Sequence, residues 1–297
     1  MRRVALVLCL VSAFVTGMLT SPAGATFPGG NGRIVFYVEP DARGPASVAT
    51  MEPDGTNRLR LTKAGRNRYP SWSPDGTKIA YTKARLGLYT MNSDGTGKTL
   101  VVKRTRRHDS MDHPSWSPDG TRLAFGAYAP ADGGTHIFVV NADGTGLVKI
   151  DTHEYGYPAY PDWSPDGSRI AFVFFLPKDV RIMTMDPDGA DQVDITRGSY
   201  VSWSPDGTKI TFVGSRQDDV FVADADGSDR VRIVDTAGVI ESWPVFSPDS
   251  TMIAYSRWTF EGSRQVDIWL MNADGSLPAQ VTDTPRRDEY APNWQAT

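Results

Sequence analysis

The chain has 297 residues, of which 40% are hydrophobic and 10% aromatic, a composition that supports a packed core and excludes wholesale disorder. Its 31 basic and 35 acidic residues give a formal charge of −4. That charge argues against a nucleic-acid binder, whose surface normally carries clustered excess positive charge. The 28 glycines and 21 prolines are spread along the sequence and suit many short strands and turns.

The first 25 residues have the pattern of an export signal. Two arginines precede an uncharged stretch at 4–20, and Ala23-Gly24-Ala25 places small residues where signal peptidase cuts. We therefore expect cleavage after Ala25 and an exported chain of residues 26–297 that is extracellular, bound to the cell wall or periplasmic, without membrane insertion. An uncleaved membrane anchor is the alternative, because the uncharged stretch approaches the length of a membrane span. Cys9, the single cysteine, leaves with the signal, so no disulfide or cysteine metal site is expected.

Residues 26–297 contain six copies of one sequence unit. The hexapeptide Ser71-Trp72-Ser73-Pro74-Asp75-Gly76 recurs with substitutions, and an alternating apolar run such as Lys78–Tyr81 follows it. The aromatic residues at the second position of the hexapeptide, which we call the repeat aromatics, are Trp72, Trp116, Trp163, Trp203, Phe246 and Trp294.

A second signature, an apolar strand ending in Asp-Gly, belongs to each unit, and a short third segment closes it. The glycines of this signature are Gly55, Gly95, Gly144, Gly189, Gly227 and Gly275. Each unit is thus expected to form four short strands, the content of one propeller blade. We predict an all-β fold, a six-bladed β-propeller of four-stranded blades that occupies 26–297 as a single domain.

The phase of the repeat predicts how the propeller closes. The chain enters at a second strand, 32–37, and ends at a first strand around Trp294 that lacks its second. Pairing 290–295 with 32–62 completes the sixth blade and leaves no exposed strand edges there. The Ser-Pro-Asp-Gly and Asp-Gly turns then share one side, which we call the turn face. The opposite side, the loop face, carries the irregular connections.

The pattern W-S-P-D-G-x-K-I-A-Y followed by M-N-x-D-G stands at Trp72–Tyr81 and Met91–Gly95. It resembles the WD-like propeller repeat of the TolB family, also seen in the propellers of prolyl-oligopeptidase-type peptidases. The resemblance covers residues 32–297 and implies the propeller fold. TolB proteins carry an additional N-terminal α/β domain, for which 26–297 leaves no room, so their envelope role is not carried over. The sequence contains no G-x-S-x-G, so peptidase activity is not carried over either.

Three features that suggest ligands have simpler explanations. Gly95–Thr99 resembles part of a phosphate-binding loop, but Asn92 stands where that loop requires glycine. Asp224–Asp229 resembles the start of a calcium loop, but the bidentate glutamate does not follow. The repeat aromatics could stack on sugars, but their regular recurrence favours wedges buried between blades. We therefore expect no cofactor.

The histidines are concentrated around one blade. We expect them in or beside connections of the loop face, near Asp112 and Glu154; they are His108, His113, His136 and His153. Imidazole and carboxylate ligands with an open position for water suit zinc or manganese. The candidate metal ligands are His108, Asp112, His113 and His153. No H-E-x-x-H spacing fixes their geometry, so tolerance of exposed histidines is the competing interpretation.

The loop face also carries aromatic and arginine side chains, the composition of protein-binding hot spots. The longest connections, Ala129–Thr135 and Thr259–Gln265, are the expected contact loops, with a solvated rim as the alternative. The candidate partner-binding residues are Arg66, Arg68, Tyr69, His113, Tyr157, Tyr200, Glu241, Trp243, Trp258, Glu289 and Tyr290.

These patterns predict an exported, monomeric, non-catalytic scaffold that binds protein or peptide partners through the loop face and the mouth of the axial channel. The first alternative is a metal-assisted lyase or hydrolase acting on an extracellular polymer, centred on the His108, His113 and His153 loops. The second alternative is carbohydrate binding without turnover.

Overall fold

The computed structural model describes residues 29–40, 44–105, 110–131, 133–151, 156–214, 219–259 and 265–297. In these ranges the regular structure consists of strands, arranged in six four-stranded antiparallel sheets. No helix long and apolar enough to cross a membrane occurs in the same ranges. The expected signal at 1–25 lies outside the described residues.

Each sheet is one blade, and its strands are given from the innermost outward. Blade 1 contains β4 (Asn67–Trp72), β5 (Lys78–Lys83), β6 (Gly87–Asn92) and β7 (Thr99–Lys103). Blade 2 contains β8 (Met111–Trp116), β9 (Arg122–Ala129), β10 (Gly134–Asn141) and β11 (Val148–Lys149). Blade 3 contains β12 (Tyr157–Trp163), β13 (Ile170–Leu176), β14 (Asp179–Met185) and β15 (Val193–Arg197).

The remaining blades follow the same plan. Blade 4 contains β16 (Ser199–Trp203), β17 (Lys209–Val213), β18 (Val220–Asp224) and β19 (Val231–Arg232). Blade 5 contains β20 (Val239–Phe246), β21 (Met252–Thr259), β22 (Val266–Asn272) and β23 (Ala279–Gln280). Blade 6 contains β24 (Arg287–Ala296), β1 (Asn31–Pro40), β2 (Ser47–Met51) and β3 (Leu59–Arg60).

The two chain ends meet in blade 6. β24 pairs antiparallel with β1 from Asn31↔Ala296 to Pro40↔Arg287. Beyond the strands, the backbone N–H of Gly30 donates to Thr297 O at 2.9 Å, and that of Thr297 donates to Gly30 O at 3.1 Å. The six-bladed fold predicted from the repeat, with its closure by the C-terminal strand, is confirmed.

The Ser-Pro-Asp-Gly hairpins are held by their aspartates. In blade 1, Ser73 Oγ donates to Asp75 Oδ1 at 2.6 Å, and the backbone N–H of Thr77 donates to the same oxygen at 3.1 Å. Gly76 takes the φ of +63° that the turn requires. Partial burial works to raise the pKa of the Asp75 carboxyl, but these hydrogen bonds outweigh it and lower the pKa below its ordinary value. The same arrangement recurs at Asp119, Asp166, Asp206 and Asp249.

The repeat aromatics lie between blades. All six are buried, with at most 5% exposure. Trp116 packs against Leu88 and Val102 of blade 1 as well as against its own blade, and Trp294 packs against Val245 of blade 5. Each side chain therefore joins two neighbouring sheets, which is the wedge position expected from the sequence.

The Asp-Gly turns make a second contact between blades. Gly189 has a φ of +90°, and a Cβ added there would lie only 1.6 Å from the carbonyl oxygen of Ile150 in blade 2. At Gly275 the corresponding distance is 2.2 Å, to the carbonyl oxygen of Ile233 in blade 4. These turns rest directly on the backbone of the preceding blade, so a side chain has no room.

We expect Trp294→Ala to lower the free energy of unfolding by about 3–5 kcal/mol, because it empties the wedge position on the closing strand. Urea denaturation followed by circular dichroism measures the change. Arg287→Ala, an exposed position on the same strand, is the control and should change stability by less than about 0.5 kcal/mol. A loss no larger than the control's would contradict the wedge assignment.

Candidate functional site

Every innermost strand carries a bulge three residues before its repeat aromatic. The strand pairing shifts register there in all six blades, and the bulge residue has a left-handed φ between +44° and +55°. Such a φ is costly for bulky side chains and is typical of functional sites. The bulge residues are Tyr69, His113, Tyr160, Tyr200, Trp243 and Ala291.

The bulges turn these side chains toward the axis, where they touch one another. The centroid distances are 3.9 Å for Tyr69–His113, 4.2 Å for His113–Tyr160, 5.2 Å for Tyr160–Tyr200 and 4.8 Å for Tyr200–Trp243. The contacts run unbroken from blade 1 to blade 5.

In blade 6 the bulge residue is the small Ala291, and two neighbouring tyrosines complete the circuit. Tyr290 lies 5.7 Å from Trp243, and Tyr37 lies 5.2 Å from Tyr290 and 5.4 Å from Tyr69. The closed set, which we call the axial aromatic cluster, comprises Tyr37, Tyr69, His113, Tyr160, Tyr200, Trp243 and Tyr290.

A hydrogen bond crosses the axis inside this cluster. Trp243 Nε1 donates to His113 Nε2 at 3.0 Å, joining blade 5 to blade 2 on the opposite side of the propeller. Because Nε2 accepts, the neutral imidazole carries its proton on Nδ1, which lies 3.7 Å from Asp112 Oδ1. The channel mouth inferred from the sequence is therefore filled by side chains at this level.

Burial raises the pKa of four tyrosines of the cluster, Tyr37, Tyr69, Tyr160 and Tyr290. Desolvation, with the nearby Asp112 charge adding to it, raises the pKa of Tyr69 to about 12. Burial likewise raises the pKa of Tyr37, Tyr160 and Tyr290 above the ordinary tyrosine value. The cluster thus offers neutral rings and phenol groups.

A pocket of about 200 Å³ lies beside the cluster, between blades 1 and 2; we call it the basic pocket. Its basic lining residues are Arg66, Arg68, Lys83, Arg85 and Arg104, against a single acid, Asp112. Arg68 is paired with Glu39, with 2.5 Å between Nε and Oε1. Within the described ranges, no carboxylate lies within ion-pair distance of Arg66 or Arg85. The pocket therefore has an excess of positive charge next to an aromatic surface.

Seven of the candidate partner-binding residues meet in the axial aromatic cluster or the basic pocket: Arg66, Arg68, Tyr69, His113, Tyr200, Trp243 and Tyr290. The other four lie apart from this centre. Tyr157 is exposed at the start of β12, and Trp258 is half-buried in β21. Glu241 and Glu289 are buried at 0% and 1% exposure, and desolvation raises the pKa of Glu289 to about 8. These two carboxylates face the protein interior.

The sequence reasoning missed Tyr37, Tyr160 and Arg85. A signal for Tyr160 was present, because it stands three residues before a repeat aromatic, as Tyr69 and His113 do. Parts of the expected contact loops Ala129–Thr135 and Thr259–Gln265 lie outside the described residues.

Two of the four candidate metal ligands, His108 and His153, lie outside the described residues. Asp112 and His113 are neighbours on β8. His136 lies in β10 beside the 129–135 connection and is buried, with Nδ1 2.7 Å from Asp151 Oδ2. The described residues contain no group of three or more His, Cys, Asp or Glu that could hold a metal ion.

Comparison with known proteins identifies one family and several solved structures that share the fold. The family model of the TolB β-propeller domain matches residues 19–175, more than half of the chain. TolB from Acinetobacter baumannii is similar at 22% identity and a TM-score of 0.73, covering 90% of this chain and 67% of that chain. A putative TolB from Agrobacterium tumefaciens is similar at 20% identity and a TM-score of 0.69, covering 89% and 99%.

An oligogalacturonate lyase in complex with manganese is similar at 18% identity and a TM-score of 0.50, covering 77% of this chain and 83% of that chain. A comparison with curated protein sequences finds no match. At these identities the solved structures show a shared fold.

We expect His113→Phe to lower the free energy of unfolding by about 1–3 kcal/mol, because Trp243 Nε1–H loses its acceptor while the ring packing is kept. Urea denaturation measures the loss, and the Trp243 indole N–H resonance should shift in ¹H–¹⁵N spectra. Tyr69→Phe, which removes a polar group from the same cluster without removing a ring, is the control. An unchanged stability together with an unchanged indole resonance would show that the cross-axis bond does not form.

Proposed function

From the premise that this chain belongs to the TolB β-propeller domain family, we propose that it is an exported, non-catalytic scaffold that binds an acidic segment of a protein or peptide partner. Binding occurs across the loop face: the axial aromatic cluster receives apolar or aromatic side chains, and the basic pocket receives carboxylates. TolB-like β-propellers commonly mediate protein interactions. The signal-like residues 1–25 support export.

The observation that carries this proposal is the adjacency of the cluster and the pocket, since Tyr69 lines both the axial centre and the basic pocket. Aromatic and arginine side chains dominate the energetics of protein interfaces. The cluster is also built on left-handed bulges at bulky residues, a strain that structures retain mainly where function requires it.

The positive charge of the pocket determines that the bound segment of the partner is negatively charged. Arg68 is offset by Glu39, whereas Arg66 and Arg85 remain available for a carboxylate within the described part of the chain. Because the whole chain carries a formal charge of −4, attraction of an acidic segment is local to this pocket. Such complementarity steers encounter and fixes register more than it raises affinity.

A metal-assisted lyase or hydrolase acting on an extracellular polymer is the second candidate function. It is favoured by the fold shared with an oligogalacturonate lyase in complex with manganese. Its ligands would be His108, Asp112, His113 and His153. The cross-axis bond disfavours it, because His113 Nε2 already accepts a hydrogen bond and Nδ1 carries the proton. A metal ion would have to displace either the indole N–H from Nε2 or the proton from Nδ1.

A random peptide array probed with the purified protein tests the scaffold. We expect the wild-type protein to enrich acidic peptides. The double variant Arg66→Glu/Arg85→Glu should weaken the binding of these peptides by about tenfold or more, because two attractive contacts become repulsive. Lys78→Glu/Lys98→Glu makes the same change of charge on the turn face and should leave binding unchanged. Enrichment without an acidic bias, or equal effects of the two pairs, would overturn the proposal.

Metal content separates the two candidate functions. We expect protein purified without chelator to hold far less than one zinc or manganese ion per chain, measured by mass spectrometry of the elements. A stoichiometric metal that is lost in His113→Ala would contradict the non-catalytic proposal. Arg287→Ala serves as the matched surface control, because Arg287 is exposed and is not among the candidate metal ligands.

A further inference from the structure

The propeller axis contains a cavity of about 100 Å³, which we call the axial cavity. Each blade contributes three successive residues to its wall: the bulge residue, the residue after it, and the residue before the repeat aromatic. The third set consists of Ser71, Ser115, Asp162, Ser202, Val245 and Asn293. Among the described residues, no lysine or arginine lines this cavity, and Asp162 is the one carboxylate in its wall.

The residues before the repeat aromatics have a structural task that requires no charge. Asn293 Oδ1 accepts the backbone N–H of the repeat aromatic in the next blade at 2.8 Å, and Ser115 Oγ does so at 3.1 Å. Asp162 Oδ2 makes the equivalent bond at 3.1 Å. Because an amide and a hydroxyl perform this task equally well, the negative charge at Asp162 exceeds what the fold needs.

That charge has no positive partner in the described chain. Asp162 is half-buried on the cavity wall and receives hydrogen bonds from neutral donors: Ser115 Oγ at 3.0 Å, the backbone N–H of Trp203 and the hydroxyl of Ser202. Holding an ionised carboxylate partly out of water without a cation is unfavourable. Desolvation accordingly raises the pKa of Asp162 to about 7, against the lowering effect of these hydrogen bonds. A carboxylate that the fold does not require and that lacks a cation in the described chain is explained if a ligand supplies the cation.

We propose that the axial cavity binds a primary ammonium group, that of a lysine side chain or a free amine, with Asp162 as its counter-ion. The innermost strands run from the loop face to the turn face, so Asp162 lies on the turn side of the axial aromatic cluster. On the loop side the rings of the axial aromatic cluster contact one another around the axis, so we place the entry of the ammonium group on the turn face. The cavity shares Tyr69 with the basic pocket, whereas Asp162 belongs to the cavity alone.

The size and the donor set of the cavity favour an ammonium group over a metal ion. A volume of about 100 Å³ holds roughly three water-sized groups at ~30 Å³ each, which suits an ammonium and two methylenes. Calcium takes six to eight oxygen ligands, several of them carboxylate, and the cavity has one carboxylate. The hydroxyls of Ser71 and Ser202 offer further acceptors, and aromatic rings attract organic cations.

Calorimetric titration with two small probes tests this site. Nα-acetyl-lysine methylamide carries the ammonium group, and Nα-acetyl-norleucine methylamide has a similar side chain without it. We expect the lysine probe to bind at least about tenfold more tightly, as for other charge-assisted contacts. Asp162→Asn should remove that difference while keeping the inter-blade bond, since asparagine already makes it at Asn293. Asp162→Ser is the second variant if the first is unstable, because a serine hydroxyl makes the same bond at Ser115.

Two further measurements sharpen the test. The affinity for the lysine probe should rise between about pH 5.5 and about pH 8, because Asp162 loses its proton there while lysine, with a pKa of about 10.4, stays charged. The other titratable groups lining the cavity are His113 and the tyrosines Tyr69, Tyr160 and Tyr200. The pH dependence of binding that remains in Asp162→Asn measures their contribution. Asn293→Asp adds a second carboxylate at the same level and should tighten binding of the lysine probe.

Equal affinity for the two probes would overturn the proposal, as would a lysine affinity that neither Asp162 variant changes. Calcium ions that bind at Asp162 more tightly than the lysine probe would also overturn it, in favour of a metal site. The Asp162 variants leave Arg66 and Arg85 in place, so peptide binding on the loop face should persist in them. Failure at one site is thereby distinguished from failure at the other.

Discussion

The antiparallel pairing of β1 with β24 is the interaction on which the rest of the molecule depends. Without it, blade 6 would have no innermost strand, and two sheet edges would be exposed. The same pairing brings Tyr37 of β1 beside Tyr290 of β24, filling the space that the small Ala291 leaves in the cluster. The strands at the two chain ends therefore build part of the axial aromatic cluster, so ring closure and the proposed binding surface depend on the same contacts.

Within the closed ring, a constant backbone carries variable axial side chains. All six innermost strands repeat the bulge and its left-handed φ, which costs on the order of 1–3 kcal/mol for each residue held there. The side chains at the bulge nevertheless differ, including a histidine, a tryptophan and an alanine. The residues before the repeat aromatics differ as well, with one carboxylate, Asp162, in the set. The repeated backbone positions the axial side chains, and the differences between these side chains determine which polar and charged groups line the axis.

The blade number, the closure and the wedge aromatics were predictable because each follows from a local signal repeated six times. The candidate site was predictable only in part. Tyr69, Tyr200 and Trp243 were expected on the loop face as partner-binding candidates, but their contacts at the axis were not, because a bulge depends on the pairing of two strands and not on one strand's composition. Tyr37 was not predicted, because it lies on β1, the second strand of blade 6, and reaches the cluster only through the pairing of β1 with β24. The burial of Glu241 and Glu289 likewise depends on packing between blades.

The axial aromatic cluster separates two regions of opposite charge. The basic pocket lies on its loop side, and Asp162 lies on its turn side. The raised pKa values of Tyr37, Tyr69, Tyr160 and Tyr290 keep these four rings between them uncharged. Tyr69 nevertheless belongs to both regions, since it lines the pocket and the cavity, and its ring packs on His113, which accepts the cross-axis bond from Trp243. A ligand on either side that altered this bond would, by thermodynamic linkage, change the affinity on the other side by the same factor.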